Sequence, residues 1–232
     1  MPTKPIALKI LDWASILLLA AATYMVFYFA PMERVMGNVQ RVFYFHVATG
    51  WVGFLSFLIA VVVGIVFLRT SDLKWDTVGL AAVELGLVFS FINIVTGSIW
   101  ARPIWNTWWT WDPRLVTATV MELIYFAYLM LRQGIENPLR RARFGAVYAI
   151  LGFVSVPISY FSIRIWRTIH PVVIGSGDPD ALGAFDMTAD MRLTFFFSLF
   201  VFTVIFVDLF WNRIRLGQFS EKINQMKMKA MV

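Results

Sequence analysis

The sequence predicts an all-α, polytopic integral membrane protein with six transmembrane helices and a tryptophan-rich segment on its outer face. Three observations predict it. The chain has 232 residues, 59% hydrophobic and only 15% charged, where a soluble domain averages about 25% charged. Its apolar residues cluster into runs long enough to cross about 30 Å of hydrocarbon at about 1.5 Å per helical residue. Between two of these runs, Trp100, Trp105, Trp108, Trp109 and Trp111 crowd into one connecting stretch.

Taken in order, the expected spans are about 11–30, 43–68, 77–99, 115–132, 144–165 and 193–212, in one domain covering 1–232. The first follows Lys4 and Lys9 and runs through Tyr24, Phe27 and Phe29 to Ala30. That is too long for the apolar part of a cleavable signal, so it reads as an uncleaved helix. The second starts just after Arg41. The third and fourth flank the tryptophan segment, 100–114, which Pro103 and Pro113 interrupt. The fifth follows Arg140, Arg141 and Arg143, and the sixth stops at Arg213. The long connection 166–192 holds Gly175, Gly177, Pro179 and Gly183 and reads as a polar excursion.

Basic residues set the orientation. With the N-terminus inside, segments 1–10, 69–76, 133–143 and 213–232, together with Arg132 at the adjoining helix end, carry thirteen Lys and Arg residues, and the outer segments and helix ends carry seven. This predicts an inner-membrane protein with both termini cytoplasmic. The net charge of +6 is thereby accounted for without nucleic acid. There are no cysteines, which excludes disulfides, thiolate metal sites and thioether attachment of haem.

The topology brings three separated features to one face. His46 opens the second span, the tryptophan segment joins the third and fourth, and His170 lies between the fifth and sixth. These are the only two histidines. A neutral imidazole pair can fill both axial positions of a haem iron. The bland alternative is that each ring snorkels into the headgroups. Tryptophans also form interfacial belts, but belt residues are scattered, and five in one connection make a flat apolar surface. At helical spacing Trp105, Trp108 and Trp109 share one face, which predicts a short amphipathic element lying on the bilayer. Arg41 and Arg114 are candidate clamps for haem propionates, or else meet lipid phosphates. Asp112 either anchors the segment through backbone amides or pairs with Arg102 or Arg114. Glu84, Glu122 and Asp208 lie in or near spans, where carboxylates are costly and mark functional sites by default. Ser90, Asn93 and Thr119 are candidate partners for them.

The segment from Trp100 to Arg114, above all Trp108-Trp109-Thr110-Trp111-Asp112, resembles the WWD signature of haem-handling membrane proteins. Within that superfamily, six spans and about 230 residues resemble cytochrome c maturation protein C, the haem exporter family CcmC. The resemblance covers about residues 30–212. It implies that His46 and His170 are the axial ligands, with Arg41 and Arg114 matching the family's arginines. Ala101 and Asn106 stand where the family usually has glycine, and Ala48 and Pro171 are further departures.

The resemblance also implies a role. The chain holds haem b non-covalently and transiently on the periplasmic face and presents it to the haem chaperone CcmE during cytochrome c maturation. The implied partners are the ATP-binding-cassette subunits CcmA and CcmB, the small membrane subunit CcmD and membrane lipid. On this reading the chain is a haem-transfer subunit and not an enzyme. The rival reading is a cytochrome b-type electron-transfer subunit, although such proteins place histidine pairs within their spans. A channel or transporter using Glu84 and Glu122 is the third class.

Overall fold

The computed structural model describes residues 3–172 and 185–230. The loop residues Gly175, Gly177, Pro179 and Gly183 lie outside the described residues, as does the side chain of Lys229. The described chain is built from helices: α1 (Ile6–Tyr24), α2 (Val42–Thr70), α3 (Leu73–Trp105), α4 (Pro113–Gln133), α5 (Pro138–Gly152), α6 (Ser155–Ile165) and α7 (Ala189–Ala230). Six helical stretches are long and apolar enough to cross a membrane, with α5 and α6 together making the fifth. Hydrocarbon offers the backbone no hydrogen bonds, which is why these runs close theirs internally as helices.

Local chemistry sets the helix ends. Asp72 accepts a hydrogen bond from the Lys74 amide at the start of α3 (3.0 Å). Asp112 and Asn137 cap α4 and α5 in the same way, each followed by proline at the first helical position, where its missing N–H costs nothing. The break between α5 and α6 falls at residues 153–154, four and three before Pro157. A proline ring there collides with the carbonyl four residues back and leaves it without its amide. The fifth span is therefore two helices where the sequence predicts one.

Three further expectations change. The final helix does not stop at residue 212 but runs to Ala230, 42 residues in all, about 63 Å at 1.5 Å per residue. Its last turns must project beyond the hydrocarbon. The third helix likewise runs past residue 99 to Trp105, through Pro103. Asn106 then ends it in the left-handed conformation, at φ 56°. Residues 106–112 are not helical, so no short amphipathic helix carries Trp105, Trp108 and Trp109 on one face.

α2 packs along α3 and also meets α5 and α7, while α1 rests mainly on α7 and α4 on α6. At the centre Phe57 stacks on Tyr125 with centroids 3.7 Å apart. Gly86 permits this, because a Cβ there would come within 2.6 Å of the Phe57 ring. At the end holding the two chain termini, one largely buried and one partly exposed ion pair join the helices. Arg132 binds Asp76 through two bonds of 2.5 and 2.7 Å, and Arg213 reaches Glu84 at 2.5 Å. Asn212 joins Asp208 (3.0 Å) to Asp12 (3.1 Å). Glu84 is thus matched with an arginine of α7, not with a Ser, Thr or Asn of the spans, and Asp208 with Asn212. Glu122 does bond the Ser90 hydroxyl.

Candidate functional site

At the opposite end of the bundle a cavity of about 80 Å³ lies between the start of α2, the end of α3 and the start of α4. Its walls include His46, His170, Trp100, Trp105, Trp109 and Arg114, with Phe43 and Phe185 completing the apolar surface. Residues far apart in the sequence meet here because each helix-to-helix connection at this end returns to the same place.

His46 is held from α3. Its Nδ1 lies 3.0 Å from the Asn93 carbonyl and 3.2 Å from the Thr96 hydroxyl. That hydroxyl spends its own proton on the Ile92 carbonyl at 2.7 Å. The Asn93 side-chain amide also lies 3.2 Å from Nδ1, but the nearer backbone carbonyl can only accept, which assigns Nδ1 the proton and leaves Nε2 with a free lone pair. The Asn93 amide also donates to the His46 carbonyl at 2.6 Å. Sequence reading offers Asn93 to an intramembrane carboxylate; in the fold it serves His46.

His170 follows the same rule. Its Nδ1 lies 3.0 Å from the Pro171 carbonyl, which can only accept. Nε2 is again the free nitrogen. The ring keeps some accessible surface, yet desolvation by the cavity wall, then the Arg114 charge and then His46, push its pKa down to about 3. It is neutral at physiological pH.

The two imidazole centroids stand 6.5 Å apart with their planes at 37°. A bound metal sits about 2.0–2.1 Å from an imidazole nitrogen and roughly 1.1 Å further from the ring centre, so two imidazoles on one metal hold their centroids about 6.3 Å apart. That value applies to imidazoles on opposite sides of the metal, and the observed spacing is close to it.

Asp112 is buried, at 8% exposure. It bonds the Arg114 amide (2.9 Å), the Thr168 hydroxyl (2.7 Å to each oxygen) and the Ile169 amide (2.9 Å). It thus anchors backbone, as one of the two expectations had it, and ties the tryptophan segment to the His170 loop. Neither alternative arginine partner is used: Arg102 turns to Asn106 (2.5 Å). Arg114 crosses to α6, donating to the Ser159 carbonyl (2.6 Å) and hydroxyl (3.0 Å) while lying 4.9 Å over the Tyr160 ring. Tyr160 in turn donates to the Gly50 carbonyl on α2.

Not every candidate enters the cavity. Arg41 turns away, donating to Asn38 (3.1 Å) and to the Val26 carbonyl, which the π-helical turn at Met25–Phe29 leaves free. Trp108 and Trp111 are 59% and 84% exposed. Trp105 points in, and its indole N–H finds no hydrogen-bond partner among the described residues. Asn93, Thr96, Gly97, Thr168 and Ser159 were not singled out for this site. Their spacing carries no signal, because each acts on a residue 45 to 56 positions away.

Comparisons with known proteins place the chain in a family. The family described as CcmC, heme exporter protein C, matches residues 3–229. Heme exporter protein C of Bradyrhizobium diazoefficiens is 29% identical, over 98% of this chain and 86% of that protein. Heme exporter protein C of Escherichia coli (strain K12) is 34% identical over 68% of this chain, an alignment spanning 64% of the E. coli protein. A putative cytochrome c biosynthesis ccmC-like mitochondrial protein of Marchantia polymorpha is 26% identical over 90% of this chain and 88% of its own length. The chain is a polytopic helical membrane protein that belongs to the heme exporter protein C family.

Proposed function

We propose that this protein binds one haem between His46 and His170 on the periplasmic face of the inner membrane and presents it to the chaperone CcmE for cytochrome c maturation. The observation that carries the proposal is the imidazole pair, with both Nδ1 atoms engaged by acceptors and ring centroids 6.5 Å apart. Two imidazoles are too few to hold a bare ion, and among the described residues no group of three His, Cys, Asp or Glu side chains supplements them. A porphyrin supplies the four missing nitrogens itself.

The chain's residues then divide the work. His46 and His170 hold the iron. Trp100, Trp105 and Trp109 wall the macrocycle, since aromatic rings pack well against flat π-systems. The Arg114 guanidinium and the Trp105 N–H offer donors to a propionate at the cavity edge. Trp108 and Trp111 face outward, where a partner can meet them. Binding is non-covalent, because no cysteine exists to form a thioether. The family relationship and the thirteen-to-seven basic bias support the periplasmic position and cytoplasmic termini. They also support partnership with CcmA, CcmB and CcmD, which supply the ATPase and the small subunit.

Purified protein should show the absorption spectrum of a low-spin, bis-imidazole haem. His46→Ala and His170→Ala should each convert it to a high-spin form or abolish it, with membrane insertion intact. A low-spin spectrum unchanged in both variants would rule out the ligand assignment. Rapid reduction of the haem by a quinol would favour the electron-transfer reading instead.

A further inference from the structure

Resting on the reading of this cavity as a haem site, we infer that the two ligands are not equivalent: His46 is the fixed ligand, His170 is the one that lets go, and Asp112 is the latch that sets how readily it does so.

The asymmetry lies in what holds each ring. His46 stands on α2 and is gripped from a second helix, with Nδ1 on the Asn93 carbonyl and the Thr96 hydroxyl and its own carbonyl on the Asn93 amide. Gly97 closes the remaining side, 3.1 Å from the ring if it carried a Cβ. Moving His46 means moving α2 against α3. His170 stands beyond the end of α6, in a non-helical stretch. Its ring bonds the next residue, Pro171, and its amide bonds Thr168 at 3.0 Å; both hydrogen bonds travel with the loop, and the ring meets α3 through edge-on packing on Trp105, centroids 6.3 Å apart. The bonds that tie Thr168 and Ile169 to the helical body converge on one carboxylate, that of Asp112. Thr168 is 3% exposed, so water does not replace these bonds while the loop is seated.

Release then has an order. When the Asp112 bonds to Thr168 and Ile169 open, the loop swings and the His170–iron bond breaks, its electron pair staying on Nε2. A water or the acceptor's own ligand takes the vacated position, with no change in oxidation state. His46 holds the iron until that second ligand is in place. Asp112 touches neither ring, so it is a positioning residue acting through the loop.

The test uses the full chain in detergent, loaded with hemin, with excess apomyoglobin as acceptor. Asp112→Asn and Thr168→Val should remain low-spin at rest but lose haem about tenfold faster, and Thr168→Ser should restore the original rate. In a His170→Ala background Asp112→Asn should add nothing; in a His46→Ala background it should still accelerate loss. Hydrogen exchange on the unloaded chain supplies a readout independent of haem: Asp112→Asn should raise exchange over residues 166–172 and leave 42–49 unchanged. Unchanged haem loss in both single variants, or equal acceleration in the two alanine backgrounds, overturns the latch. So does unchanged exchange over 166–172. A chain that takes up no haem yet shows the exchange change keeps the latch and refutes the haem reading.

Discussion

A Cβ placed on Gly97 would lie 3.1 Å from Cε1 of His46, so the absence of a side chain on α3 sets where the imidazole on α2 can stand. Gly97→Ala should therefore leave the bundle folded but push the ring by a few tenths of an ångström. Overpacking of this kind costs about 1–3 kcal/mol. We expect haem affinity to fall about tenfold, equal to about 1.4 kcal/mol, at normal protein level. Titration with hemin checks it; unchanged affinity would mean that the ring has more freedom than its contacts imply.

The tryptophans divide by direction. Trp109 lines the cavity, while Trp108 is 59% exposed. Trp109→Leu should speed haem loss from the isolated protein, and Trp109→Phe should be milder. Trp108→Leu should leave haem binding unchanged and reduce transfer to CcmE. Haem off-rate and chaperone loading, measured side by side, separate the two effects.

His170 has a pKa of about 3 in the fold against about 6.5 in an unfolded chain. Between those values the unfolded state binds the extra proton, so stability falls as pH drops through this window and is unaffected by this group above it. The unloaded protein should lose order in the His170 loop on acidification below pH 6.5. At pH 5 the ring remains neutral and can still ligate. Nitrogen chemical shifts of labelled histidine across pH 3–8 check this; a titration centred near 6.5 would show that the ring is not desolvated.

At the other end of the bundle, Arg132 is buried against Asp76. Removing one partner of a buried pair leaves an uncompensated charge and costs about 3–5 kcal/mol. Asp76→Ala should lower resistance to denaturation by about that amount. Its haem spectrum should stay normal, because the pair belongs to the opposite end of the bundle from the cavity.

Orientation is open to direct labelling, since the chain has no cysteines. Val35 is 91% exposed at the cavity end, and Glu136 is exposed in the connection between α4 and α5. Val35→Cys should react with an impermeant thiol reagent from the periplasm and Glu136→Cys should not. The reverse pattern would invert the topology and place the cavity in the cytoplasm.

The sequence by itself determined that this is a six-span helical membrane protein, because hydrocarbon imposes long apolar runs that nothing else explains. It also marked His46, His170 and the tryptophan cluster, through their scarcity in one case and their crowding in the other. Alternation of the spans alone put them at one end. What only the tertiary structure decided was how side chains are apportioned there. Arg41 and Arg114 look alike as basic residues beside the site, yet one caps a free carbonyl of the first span and the other enters the cavity. Trp108 and Trp109 are neighbours, yet they face opposite ways, because the helix ends at Asn106 and the backbone that follows has no helical period to predict. Asp112 meets Thr168 and Ile169, and Asn93 meets His46, across some fifty residues of chain. Such contacts depend on how helices are rotated and stacked, and that is set by packing at positions such as Gly86 and Phe57, far from the residues they bring together.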